Sequence, residues 1–149
     1  MKKRTIDYAL RSTWGAVSKM YNRTAAKFDS TMATGFALLS IDAEGTPSTA
    51  LGPKMGMEGT SISRLLKSME ERELIDRRPD PSDGRGVLIH LTPFGKEKRE
   101  FSKQIVLGFN EAINQELSEE KIEHFFEVID CITDYCSAYE KQTHQVNFN

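Results

Sequence analysis

The sequence predicts a mainly α-helical fold with one small β-hairpin, in which long helices at both ends flank a compact middle lobe. Two observations carry this reading. Residues 77–92, RRPDPSDGRGVLIHLT, place two turn-forming clusters, Pro79-Asp80-Pro81 and Ser82-Asp83-Gly84, between the apolar lead-in Leu74-Ile75 and the apolar run 87–91. That is the pattern of two strands joined by a tight connection. Immediately upstream, a helix that opens on Gly59, Thr60 and Ser61 exposes Arg64 and Lys67. A helix with a hydroxyl-rich start and a basic face, followed by a hairpin carrying an arginine, has the layout of a winged helix-turn-helix. The hairpin is expected outside the core, with Arg85 at its tip between Gly84 and Gly86, on a backbone permissive enough to approach another surface.

Taken in order, residues 5–29 set Ile6, Leu10, Trp14, Val17, Met20-Tyr21, Ala25 and Phe28 at a spacing near one helical turn, which marks one face of a long helix. Such a helix, about 37 Å at about 1.5 Å per residue, outspans a compact domain and implies packing on a partner chain. Residues 31–43 form a second, shorter apolar helix, capped by one of Asp29, Ser30 or Thr31. A third helix is expected from Ser48 to about Met55, with Thr46 as its N-cap and Pro47 in its first position. After the turn Gly56-Met57-Glu58, the helix at roughly 59–73 turns Ile62, Leu65, Leu66 and Met69 to the core. Its opposite face carries Thr60, Ser61, Ser63, Arg64 and Lys67, donors suited to phosphate and to base edges. Beyond the hairpin, Thr92-Pro93 starts a helix reaching about Gln115, and Ser118-Glu119-Glu120 starts the last one. The stripe of that last helix, Ile122, Phe125-Phe126, Ile129, Ile132-Thr133, Cys136 and Tyr139, is too large for a small domain to cover alone, and the tail after Lys141 is expected to be loose.

Composition narrows the function classes. With 149 residues, 38% hydrophobic and 28% charged, the chain suits one globular domain spanning 1–149. No run of about 18 apolar residues and no signal-peptide core is present, which implies no membrane partner and a cytoplasmic location. The net charge of −2 is unevenly spread: residues 1–30 hold seven Lys or Arg against two acids, and residues 111–140 hold nine acids against Lys121 alone. We read this as complementarity between terminal helices, so any affinity for nucleic acid must come from where Arg64, Lys67 and Arg85 are placed. His90, His124 and His144 are scattered, and no HxxxH, CxxC or Gly-rich phosphate loop appears, so neither an enzyme, a metal site nor a cofactor is expected. Cys131 and Cys136, five apart on a helix and roughly 140° around its axis, are read as buried thiols.

A family resemblance rests on Asp83-x-Arg85-x-x-x-x-x-Leu91-Thr92-x-x-Gly95, preceded by Ser63-Arg64, Met69-Glu70, Leu74-Ile75 and Arg77. This joint spacing resembles the MarR family of bacterial transcription regulators. The sequence departs from that pattern at Gly52-Pro53, which predicts a short or kinked first helix of the helix-turn-helix. The resemblance implies dimerisation helices at 1–30 and 93–141 around a DNA-binding lobe at 31–92. It further implies a homodimer on a pseudo-palindromic operator of double-stranded DNA, with Arg85 in the minor groove. Asp83 would then structure the wing, with Arg77 or Arg78 as its partner. A small aromatic or amphipathic effector is also implied, in a crevice for which Trp14, Phe36 and Phe109 are candidate walls. The alternative from another class is a winged-helix module that binds protein rather than DNA.

Overall fold

The computed structural model describes residues 4–146. In order they form α1 (Ile6–Ala26), α2 (Met32–Ser40), β1 (Thr46–Pro47), α3 (Ser48–Met55), α4 (Gly59–Glu71), β2 (Ile75–Asp80), β3 (Asp83–Leu91), α5 (Pro93–Glu116) and α6 (Glu119–Val146). The chain divides into two compact units, Met1–Gln104 and Ile105–Asn149, with the boundary inside α5.

In the first unit the core gathers Ala37, Leu38 and Ile41 from α2, Leu51 from α3, and Ile62, Leu66 and Met69 from α4. Leu74, Ile75, Ile89 and Leu91 from the hairpin complete it. The expectation that the hairpin stays outside the core therefore holds for its outer part and fails at its base, where Ile75 and Ile89 are fully buried. Alternation explains this, because residues two apart on a strand share a face and the strand positions nearest α4 meet its apolar side.

The hairpin is also the larger part of a three-stranded antiparallel sheet, in the order β1-β3-β2. The third strand corrects the expected cap. Thr46 pairs with Ile89 and Pro47 with Leu88, so Thr46 lies in a strand and Pro47 occupies the N-cap position of α3. The buried Thr46 hydroxyl is already engaged: it accepts from the Asp42 backbone N–H at 2.8 Å and donates to Asp42 Oδ2 at 3.3 Å. It closes the loop after α2 instead of capping the helix.

Other ends follow local chemistry. Of the three candidates for capping α2, Thr31 does it, its Oγ1 accepting from the Thr34 N–H at 3.2 Å. Asp29, in the preceding turn, takes a left-handed φ of 53°. Thr92 Oγ1 caps α5 by accepting from the Gly95 N–H at 2.9 Å. Pro53 sits within α3, which is short, at eight residues, and continuous from Ser48 to Met55.

The second unit consists of the rest of α5 and all of α6, a helix of 28 residues. In its apolar stripe Phe125, Phe126 and Tyr139 are exposed and Ile122, Ile129 and Ile132 are half-buried, and Val128 and Tyr135 beside the stripe are exposed as well. Both thiols, expected to be buried, are exposed, because this single chain leaves the surface around them open. The helix continues through Val146, so the segment just after Lys141 is ordered helix, and the last three residues of the expected loose tail lie outside the described residues.

Candidate nucleic-acid interface

Residues 48–71 form a helix-turn-helix whose turn is set by one glycine. Gly56 has φ 62°, the left-handed conformation that closes a helix, and the Met57 N–H returns to Gly52 O at 2.9 Å. A side chain on Gly52 would crowd the Met57 carbonyl at 3.1 Å, so the departure at Gly52-Pro53 fits a tight turn. Helix α3 is also tied backwards. Lys54 Nζ donates to Ser40 O at 3.2 Å and to Asp42 Oδ2 at 3.0 Å. The Lys54 hydrogen bond and charge hold the Asp42 carboxyl below its ordinary range.

Helix α4 buries Ile62, Leu66 and Met69 and leaves Thr60, Ser61, Ser63, Arg64 and Lys67 exposed. The structure thus brings these five expected contact residues onto one exposed side of a single helix. Ser63 is partly committed, since its hydroxyl donates to Gly59 O at 2.9 Å. Among the described residues neither Arg64 nor Lys67 has an ion pair or side-chain hydrogen bond, so both cations are presented to solvent without a neutralising partner. Glu58, at the N-cap position, is exposed and makes no side-chain cap.

The wing is built differently from the sequence expectation. Arg77 Nε donates to Glu70 Oε2 at 3.1 Å, and Arg78 Nε donates to Asp76 Oδ1 at 2.8 Å. Neither is the partner of Asp83. Asp83 Oδ1 instead accepts from the Arg85 backbone N–H at 3.1 Å, so it fixes the main chain that carries Arg85. The reason is reach: Arg77 and Arg78 find carboxylates nearer their own strand positions. Sequence reasoning also missed Asp80, whose Oδ1 accepts from both the Ser82 N–H at 2.9 Å and the Ser82 hydroxyl at 2.7 Å. These bonds hold its carboxyl below the ordinary range. The signal was legible as an Asp two residues before a Ser, the side-chain-to-backbone turn that Asp favours.

Gly86 packs against this tip, for a Cβ there would lie 3.1 Å from Asp80 Cβ and 3.1 Å from Asp83 Oδ2. Gly84 faces open space. Arg85 is exposed, two residues along β3 from its start, and its side chain carries no hydrogen bond or ion pair among the described residues.

The Leu91-Thr92-x-x-Gly95 segment proves to be a joint. Thr92 Oγ1 donates to Glu73 O at 2.6 Å, and its N–H donates to Leu74 O at 3.1 Å. A Cβ on Gly95 would collide with the Leu74 carbonyl. The end of α4, the start of β2 and the start of α5 are therefore clamped at one point.

The three candidate effector walls fall in two units. Trp14 is 55% exposed and Phe36 meets Tyr21 edge to face at a centroid distance of 5.7 Å, both in the first unit, whereas Phe109 belongs to the second. A cleft of about 360 Å³ opens elsewhere, among Ser48, Gly52, Pro53, Ser63, Leu66 and Arg77.

Comparison with known proteins agrees with this geometry. Residues 31–87 match the model of the MarR family. An uncharacterized HTH-type transcriptional regulator of Bacillus subtilis, YdgJ, is 35% identical over 54 residues, 36% of this chain and 33% of that protein. The curated relatives are matched over 33% to 70% of their own length. Among solved structures, the MepR–DNA complex of S. aureus superposes with a TM-score of 0.77 at 24% identity, covering 91% of this chain and 99% of the other. The regulator PcaV of Streptomyces coelicolor, in complex with its natural ligand, gives 0.74 at 22% identity, covering 90% and 98%. These structural likenesses carry the fold. The family match adds that residues 31–87, the helix-turn-helix and the first part of the wing, are similar to the MarR family.

Proposed function

We propose that the chain is a sequence-specific regulator of transcription that binds double-stranded DNA as a homodimer on a pseudo-palindromic operator. One observation carries the reading: α4 presents Thr60, Ser61, Arg64 and Lys67 on an exposed side, the following hairpin presents Arg85, and all three cations are unpaired among the described residues. Overall acidity does not oppose this, because affinity follows where charge stands rather than its sum. In this reading α4 enters the major groove, and Arg85 enters an adjacent minor groove, where A·T-rich sequence concentrates negative potential. Residues 31–92 make the DNA-binding lobe, with 1–30 and 93–141 serving dimerisation.

The reading places the chain in the cytoplasm as a non-enzymatic repressor whose DNA affinity falls when a small aromatic or amphipathic effector binds. It is supported by the structural likeness to the ligand-bound PcaV.

The test is selection of duplexes from a random pool, followed by binding curves at several salt concentrations. A linear fall of log affinity with log salt on the selected palindrome, steeper than for a protein contact, is expected. Absence of duplex binding at low salt would instead point to a winged helix that recognises protein.

A further inference from the structure

Resting on the DNA-binding reading above, we propose that Glu70 and Arg77 form a latch that positions the wing against the recognition helix, setting where Arg85 meets DNA. Glu70 lies in the last turn of α4 and Arg77 is the third residue of β2. Arg77 Nε and Glu70 Oε2 are 3.1 Å apart. Among the described residues this is the one side-chain hydrogen bond between α4 and the hairpin.

The base of the hairpin needs no latch. Ile75, Ile89 and Leu91 are buried there, and the Thr92–Glu73 and Thr92–Leu74 bonds hold it. Beyond the base the support changes. Arg77, Arg78 and Pro79 are exposed, and Arg78 pairs with Asp76 of its own strand, so that pair ties β2 only to itself. Arg77 also borders the cleft of about 360 Å³, whose other lining residues, Ser48, Ser63 and Leu66 among them, belong to α3, the turn and α4. Open space cannot fix an angle as close packing does. On the β3 side, β1 holds Leu88 and Ile89 and Val87 packs against the core, so it is β2 that relies on the Glu70–Arg77 contact for its side-chain tie to α4 beyond the base.

The contact is exposed on both sides, and such pairs are weak. Its leverage is geometric. Strands rise about 3.3 Å per residue, so a wing that pivots near Arg77 moves its tip, about 10 Å farther on, by ångströms for a small change of angle. A misplaced arginine loses its narrow groove while the base of the wing stays folded.

The test uses the full-length chain and an operator selected by it, compared with the same operator carrying G·C in place of A·T flanks. Glu70→Gln, Arg77→Gln and the exchange Glu70→Arg/Arg77→Glu are each measured alone and with Arg85→Ala, with thermal unfolding as the check on folding. Glu70→Gln removes an acid near DNA and by charge alone would tighten every duplex. The latch predicts that it lowers the preference for A·T flanks about two- to fivefold, that the exchange restores most of it, and that neither change matters once Arg85 is gone.

Uniform tightening by Glu70→Gln would overturn the proposal. So would an exchange variant no better than Arg77→Gln, since Arg77 would then act directly on phosphate. Should Arg77→Gln fail to fold, Glu70→Gln and its combination with Arg85→Ala decide the matter. A wild-type chain that binds no duplex defeats the DNA-binding reading and the latch together, whereas flank preference present in wild type and untouched by Glu70→Gln defeats the latch alone.

Discussion

Arg64 and Lys67 stand three residues apart on α4, both exposed and unpaired among the described residues, yet their chemistry separates them. A guanidinium offers a planar fork that matches the guanine edge, whereas an ammonium is a compact charge that any phosphate satisfies. In the proposed complex Arg64→Ala should cost about 1–3 kcal/mol and relax base preference, while Lys67→Ala should weaken all duplexes alike and lower the salt slope by about one. Equal, sequence-blind losses would reject this division. The wing carboxylates make a second contrast. Asp83 was legible in the motif, but its partner was not, because spacing does not reveal that its oxygen would turn to the Arg85 main chain. Asp83→Ala should therefore weaken operator binding despite removing an acid, since a loosened loop must be re-ordered on binding. Asp80 adds a pH dependence. Its carboxyl is held below the ordinary range by Ser82, so its contribution to tip order is complete above the unfolded-state pKa and is lost as pH falls through the lower folded value. The Ser82 amide resonance, followed by NMR in an acid titration, should move in that window, and Asp80→Asn should remove the transition.

At the scale of elements, the helices and the hairpin were legible because period and turn chemistry are local. Thr31, Gly56 and Thr92 were each readable as helix ends, and the structure uses all three. What stayed hidden was non-local. Thr46-Pro47 reads as a cap followed by a helix start, and only pairing with Ile89 and Leu88, over forty residues away, makes it a strand. The hairpin was read by its tip, so its buried base was missed, although Ile75, Ile89 and Leu91 have the alternation of an inward face. The joint at Thr92 shows why the Leu-Thr-x-x-Gly segment is more than a helix start. Gly95→Ala should destabilise by at least about 1–3 kcal/mol, because the added methyl meets backbone that cannot swing aside. Thr92→Val, which loses the bond to Glu73 O and the cap on Gly95 while keeping the shape, should cost a similar amount, and Thr92→Ser should recover most of it. Urea unfolding curves would measure both; a neutral Thr92→Val would mean that water replaces the hydroxyl at no cost.

At the scale of the whole molecule, the proposed homodimer rests on apolar surface that a monomer would leave in water. Ile6, Tyr8 and Trp14 of α1 are each more than half exposed, as are Phe125, Phe126, Tyr135 and Tyr139 of α6. Large contiguous apolar surface is rare on monomers and marks interfaces. The cysteines turn this into a measurement. Both thiols are exposed in the single chain, but Cys136 lies in the apolar stripe with Phe125, Phe126 and Tyr139, while Cys131, roughly 140° around the helix from it, lies off that stripe. If the stripe is the interface, Cys136 is covered in the dimer and Cys131 is not. Titration with a thiol-specific chromogenic reagent should then be biphasic, one thiol reacting fast and one slowly. Cys131→Ser should remove the fast phase and Cys136→Ser the slow one. Dilution should convert the slow phase into a fast one at the same concentration at which sedimentation shows the mass falling from two chains to one. Phe126→Glu, which places a charge on the stripe, should shift that concentration upward and speed Cys136 without touching Cys131. Two fast thiols at a concentration where sedimentation still reports a dimer would place the interface on another face, and the stripe of α6 would then need a different partner.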